Sequence, residues 1–344
     1  MTLSDGVSAV TSTSPRTAVP LKTDGSPSAP AKARAGARRA KRRRTVLFFM
    51  APAFLGFLIF FGYPLIATVY YSFTRYDLIN PPQFIGFDNY IRMFTTEPLV
   101  GTAAYNTLWL VVVLTVCRVV FSLGIASVIS RLKSGVGLVR TLCYLPTLAP
   151  PAAATLAFVF VFNPEFGPVN RFLRLVGIDG GLWFNSPAMS KPALTLLALW
   201  GSGELMIIIL AALLDVPTEQ YEAAELDGAG PVRRFWHVTL PSISPVLLFG
   251  VVNSIIYALQ FFTQAIVAAS ASAGTADVAG NSKLIGAPQN STLTYPIWLY
   301  VQGFRYFNMG YAAAMAVLLF IVSSGFTWIL VRQLRKSQHQ EEGA

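Results

Sequence analysis

Residues 222–245 read EAAELDGAGPVRRFWHVTLPSISP, a charged, small-residue segment punctuated by prolines and set between long apolar runs near 193–214 and 246–268. The flanks decide how the segment is read. A helix crosses a hydrocarbon core of roughly 30 Å with about 20 predominantly apolar residues, because each backbone N–H and C=O must be satisfied within the segment. Four further runs of this kind lie near 45–70, 107–130, 141–162 and 311–331. The chain is therefore expected to be all-α, a polytopic membrane protein with six transmembrane helices, and the quoted segment is a loop between two of them.

Composition excludes the ordinary soluble classes. The 344 residues are 54% hydrophobic and only 12% charged, with a mean hydropathy of +0.55, too apolar for a soluble domain of this size. A β-barrel is excluded as well, since barrel strands alternate over segments of about ten residues while these runs are continuously apolar. The first run carries Pro52 and Pro64, so its spanning part is expected to be its first twenty residues.

Charge assigns the sides, because Lys and Arg concentrate on cytoplasmic loops. With an internal N-terminus, the N-terminal tail, 131–140, 215–245 and the C-terminal tail share one side and hold 18 Lys and Arg, against 7 in the three opposite loops and Arg118 within a span. The expectation is that both termini and the 222–245 loop are cytoplasmic. The run ARRAKRRR at 37–44 abuts a span and reads as an anchor on anionic headgroups of the lipid bilayer, with no nucleic acid as partner. Residues 1–36 nearly lack large apolar side chains and are expected to be disordered. A cleaved signal peptide is not expected, because the basic region starts too far into the chain and the apolar run after it is too long. The organisation is thus a basic cytoplasmic tail at 1–44, a membrane domain at 45–332 and a second tail at 333–344.

Catalytic chemistry is sparse. Two histidines, His237 and His339, cannot assemble a His-rich metal site, so no metal is expected. Without a GxxxxGK[ST] phosphate loop, ATP-driven work requires another subunit to bind the nucleotide. Cys117 and Cys143 both fall in apolar runs and read as small core residues.

Within the loop, Pro217 suits a helix start, TEQYEAAELD contains good helix formers, and Gly228 supplies the left-handed position past a helix end. A second helix is expected from Pro231 through RRFWHVT until Pro241 interrupts it. The small Ala223, Ala224, Gly228 and Ala229 let another backbone approach, Glu222, Asp227, Arg233 and Arg234 offer charge, and Phe235 and Trp236 offer apolar surface. Docking to a partner and lying flat on headgroups both fit this pattern.

EAAELDGAGPVRRFW followed by TLPSISP resembles the EAA loop of inner-membrane permease subunits of ABC importers, matching at Glu222, Ala223, Ala224, Asp227, Gly228, Ala229, Phe235, Leu240, Pro241 and Pro245. Similarity to the carbohydrate-type branch extends to YPL at 63–65, SFTRYDL at 72–78, FIGFDNY at 84–90, NTL at 106–108, VRTLCYLP at 139–146 and GYAAAMAV at 310–317. The resemblance covers roughly 45–332 and implies the type I ABC importer permease fold. It implies that Glu222, Ala223, Ala224, Asp227, Gly228, Ala229, Arg233, Phe235 and Pro241 belong to a coupling element seated in an ATPase. ATP and Mg would be used there, with no cofactor bound by this chain. Its partners would be a second permease subunit, two cytoplasmic ATPase subunits and an extracellular or periplasmic sugar-binding protein delivering a carbohydrate, in a bacterial or archaeal plasma membrane.

The sequence departs from that pattern after the fifth span, where an Ala, Ser and Gly-rich apparent insertion at 269–290 replaces the common T-x-GGP stretch. Arg118 and Glu204 fall mid-span, where a charge costs roughly 2.5–3.5 kcal/mol or more and tends to face a cavity or a partner charge; they are expected to pair or to line the pathway. Asn253, Tyr257, Gln260 and Gln264 recur at helical spacing and, with Phe261, combine amides and aromatics as a sugar site does. Interhelical packing explains them too. An ion-coupled secondary transporter remains the alternative, for which Glu204 is the lone candidate carboxylate, and a membrane-embedded enzyme would need a constellation the sequence lacks.

Overall fold

The computed structural model describes residues 45–273 and 285–341. The chain divides into two units, residues 1–63 and 64–344. The N-terminal tail and residues 274–284 of the apparent insertion lie outside the described residues.

Among the described residues, three helices are long and apolar enough to cross a membrane unaided: α1 (Thr45–Ser72), α3 (Pro98–Ile129) and the part of α14 at Met309–Gln333. None of the most apolar part of α1 is buried, and Phe48 and Phe60 stand about three-quarters exposed. Between α1 and α3 a short hairpin, β1 (Thr74–Arg75) antiparallel to β2 (Gln83–Phe84), leads into α2 (Asp88–Thr95). The final helix, α14 (Met309–Glu341), continues well beyond the expected span end.

The other spans are bent. The expected run 141–162 is two helices, α4 (Val136–Leu148) and α5 (Pro151–Val161), meeting at 100°. Prolines cause this break: Pro150 and Pro151 lack donors and force the preceding backbone to be extended. After α6 (Pro168–Leu175), the run 193–214 is likewise α7 (Ser190–Trp200) and α8 (Gly203–Leu214), bent by 52° at Gly201–Ser202. The short α9 (Thr218–Leu226) follows, and α10 (Pro231–Ser242) turns by 71° into α11 (Ser244–Leu259). Counting each bent pair once gives up to six crossings.

The run 246–268 corrects the sequence reading. It is no single helix: α11 stops at Leu259 and α12 (Thr263–Ser272) follows. No Gly or Pro marks this break. The Thr294 hydroxyl donates to the freed Phe261 carbonyl at 3.0 Å, and the Phe261 ring is 1% exposed in the core. Tertiary partners stabilise a break that local sequence does not encode. The supporting loop is itself tied down, with Asn106 donating to the carbonyls of Asn290 and Leu293 at 2.8 and 2.9 Å. It leads into α13 (Tyr295–Tyr300), which continues as a π-helical turn to Arg305.

Among the described residues, two apolar clusters form the core of the second unit. One gathers Leu110, Leu114, Leu194, Phe261, Ile297 and Met315; the other gathers Ala126, Ile129, Leu205, Met206, Ile209 and Ile243. Helix α3 contributes to both, and between its two apolar stretches it buries Thr115, Arg118 and Ser122. This polar layer lies where α7 breaks into α8, as Ser122 Oγ contacts the Ser202 carbonyl at 3.5 Å. Close backbone approach holds α8 there. A methyl group on Gly203 would collide with the Cys143 carbonyl and come within 2.9 Å of Tyr144 Cα, so only glycine fits.

Candidate functional site: a cavity at three helix breaks and a helical hairpin

A cavity of about 400 Å³ opens at the polar layer, and Arg118, Glu204, Asn253, Tyr257, Gln260 and Gln264 all line it. Three of the four breaks contribute to its wall: Ala149 and Pro151 from α4/α5, Gly201 from α7/α8, and Gln260 from α11/α12. Interrupted helices leave backbone donors and acceptors without intrahelical partners, and in a membrane such backbone persists where it lines a cavity or is buried in protein. Asn253 and Tyr257 share α11, but Gln260 caps its end and Gln264 stands on α12. The single helical face expected from their spacing is replaced by two helices converging on one space. Phe261 points elsewhere, into the apolar core.

The two charges do not form an ion pair within 4.0 Å. Arg118, 4% exposed, sets its guanidinium carbon over the Tyr257 ring, 4.3 Å from the centroid. Tyr257 Oη in turn accepts from Gln264 Nε2 at 2.9 Å. Glu204 is exposed and sits in the first turn of α8, where the positive end of the helix dipole favours a carboxylate. Among the described residues, no group of three or more His, Cys, Asp or Glu is placed to hold a metal ion.

The second candidate is the hairpin of α9 and α10. Helix α9 ends at Leu226, Asp227 donates its backbone N–H to Ala223, and Gly228 turns the chain at φ +75° with open space around it. The Ala229 N–H reaches back to the Ala224 carbonyl at 2.9 Å, satisfying the helix end as glycine-terminated helices do. The arms are cross-linked by Arg234–Glu225 at 2.9 Å, Tyr221–Thr239 at 3.0 Å and Ser242–Gln220 at 3.2 Å. Pro241 does not end the second arm, contrary to expectation. A π-helical turn at Phe235–Thr239 shifts the hydrogen-bond register before Pro241, and the chain bends two residues later at Ile243.

Glu222, Ala223, Asp227, Gly228, Arg233 and Pro241 are exposed, whereas Ala224, Ala229 and Phe235 are half-buried. Phe235 lines a space of about 360 Å³ between the hairpin and the ends of α3 and α8. Sequence reasoning named Trp236, which is 62% exposed, but overlooked Leu226 at 90% and Val232 at 72%. Exposed large apolar side chains on a polar hairpin signal a contact surface, and their positions beside the Gly228 turn were the available clue.

The family described as the binding-protein-dependent transport system inner membrane component matches residues 118–338. The chain is 35% identical over 295 residues to the probable ABC transporter permease protein YesP of Bacillus subtilis strain 168, covering 85% of this chain and 91% of that protein. It is 32% identical over 297 residues to the sulfoquinovosyl glycerol transport system permease protein SmoG of Agrobacterium fabrum, with the same coverages. A solved bacterial alginate ABC transporter, in complex with an alginate pentasaccharide-bound periplasmic protein, has a chain that superposes with a TM-score of 0.73. At 22% identity, over 87% of this chain and 96% of that one, the likeness is one of fold.

Proposed function

We infer the role of this chain from the family to which it belongs, the inner membrane components of binding-protein-dependent transport systems: it is the multi-pass permease subunit of an ATP-driven ABC importer for a sugar or related carbohydrate. The carbohydrate class rests on the relatives, two of which are named for sulfoquinovosyl glycerol and arabinooligosaccharides. Family membership displaces the ion-coupled alternative.

The observation that carries the coupling role is the cross-linked hairpin with its exposed tip at Leu226, Val232 and Trp236. In this reading it faces the cytoplasm and seats in one of two ATPase subunits, which bind ATP and Mg. Closure of the ATPases pushes on the hairpin, and α10 passes the motion through the bend at Ile243 into α11. Helix α11 carries Asn253 and Tyr257 into the cavity, so a rigid hairpin moves the wall of the solute space directly. A second permease subunit supplies the other half of the pathway, and an extracellular or periplasmic binding protein delivers the solute. This chain performs transport, with hydrolysis left to the ATPases.

Affinity purification of the tagged chain from its own membranes tests the assembly, with an ATPase and a second permease expected to co-purify. Replacing both Leu226 and Trp236 by Ser should release the ATPase while the permease pair stays together. Retention of the ATPase by that double variant would refute the hairpin as the docking element.

A further inference from the structure

Arg118 has more hydrogen-bonding capacity than its surroundings use. Its side chain is 4% exposed, it lines the 400 Å³ cavity, and its Nε and Nη1 donors have no hydrogen-bond partner. A guanidinium carries five N–H donors in a planar fork suited to carboxylate, sulfonate or phosphate oxygens. Its contact with the Tyr257 ring, 4.3 Å from guanidinium carbon to centroid, leaves the Nε and Nη1 donors without a hydrogen-bond partner. The ring contact holds the guanidinium in place, because Tyr257 is itself held by Gln264. Glu204 does not use the free donors, being unpaired with Arg118 within 4.0 Å and placed at the N-terminus of α8.

Building on the importer reading above, we propose that the transported carbohydrate bears an anionic oxygen group, a carboxylate, sulfonate or phosphate, which the edge of Arg118 receives in the cavity. The neutral amides of Asn253, Gln260 and Gln264 around it then serve the hydroxyl groups. The hydroxyls of a neutral sugar can accept from these donors but bring no negative charge against the buried guanidinium, whereas an anionic oxygen group forms the stronger charge-assisted bonds, so the site discriminates by charge.

The test measures chain-dependent uptake in intact cells that keep the other subunits, comparing a deletion strain with strains restored by wild type, Arg118→Gln or Arg118→Lys. The labelled probes are neutral oligosaccharides, uronic acids, a sugar sulfonate and glycerol 3-phosphate. Wild type is expected to carry at least one anionic probe, Arg118→Gln to lower its rate about tenfold or more, and Arg118→Lys to recover part of the loss. Abundance of the assembled complex is followed by gel filtration, and a loss of assembly in Arg118→Gln leaves the wild-type panel and Arg118→Lys to decide. Uptake of neutral probes alone overturns this proposal and leaves the importer reading standing, as does an Arg118→Gln rate for an anionic probe equal to wild type. Absence of any chain-dependent carbohydrate uptake overturns both.

Discussion

The hairpin and the cavity are built in opposite ways. The hairpin forms from consecutive residues, α9, a left-handed glycine and α10, closed by links between its own arms such as Arg234–Glu225 and Tyr221–Thr239. The cavity draws Arg118 from α3, Glu204 from α8, Asn253 from α11 and Gln264 from α12, and it exists only where three helices break beside a buried polar layer. A local unit that holds its own shape can transmit force as a solid piece. A space assembled from distant segments changes shape whenever those segments shift, which is what an alternating pathway requires.

This contrast predicts unequal responses to substitution. The largest effect is expected on the cavity side, at Gly203→Leu. The added side chain meets the Cys143 backbone and Tyr144 Cα at 2.9 Å, atoms that cannot yield as a flexible side chain would, so overpacking costs at least about 1–3 kcal/mol. The yield of folded, detergent-extracted protein should fall severalfold and its melting temperature should drop; an unchanged melting curve would mean that α8 and α4 do not cross so closely.

At the hairpin, Gly228→Val should leave abundance nearly untouched and impair coupling. Its Cβ meets nothing within 4 Å, but the φ of +75° is strained for a β-branched residue, by about 1–2 kcal/mol. Uptake should fall several-fold while the amount in the membrane holds, and Gly228→Asn, which tolerates the left-handed region, should recover most of the rate. Equal damage by Val and Asn would point to contact with a partner as the reason for glycine, with backbone conformation secondary.

The smallest effect belongs to the link between the arms. Glu225 is 69% exposed in its pair with Arg234, so solvent screening leaves at most about 1 kcal/mol. A double-mutant cycle of Glu225→Gln and Arg234→Gln, read as melting temperature at low and high salt, should show a coupling that salt erodes. A coupling above that ceiling would mean that the arms share a more buried contact than the exposed ion pair.

Legibility followed the same division. The hairpin could be read residue by residue, since helix start, glycine turn and second helix are all local signals; the misreading of Pro241 arose because the π-helical turn before it depends on packing. Arg118 and Glu204 announced themselves as charges in apolar runs, although their separation could not be read. The interruption at Gln260–Phe262 left no mark in the sequence. It depends on Thr294, more than thirty residues onward, donating to the Phe261 carbonyl, and without it Gln260 and Gln264 would be assigned to one continuous helix.

By itself the sequence determined that this chain belongs in a membrane, how many apolar runs it has and which segment between them is a helical hairpin, because hydropathy, glycine and proline act within a few residues of themselves. Only the tertiary structure decided that the fifth span breaks at Gln260–Phe262, that Arg118 rests on Tyr257 instead of pairing with Glu204, and that Phe261 belongs to the core while Gln260 and Gln264 line a cavity. Those outcomes depend on which distant backbone and side-chain groups arrive to satisfy a broken helix or a buried charge, and that is settled only when the helices pack.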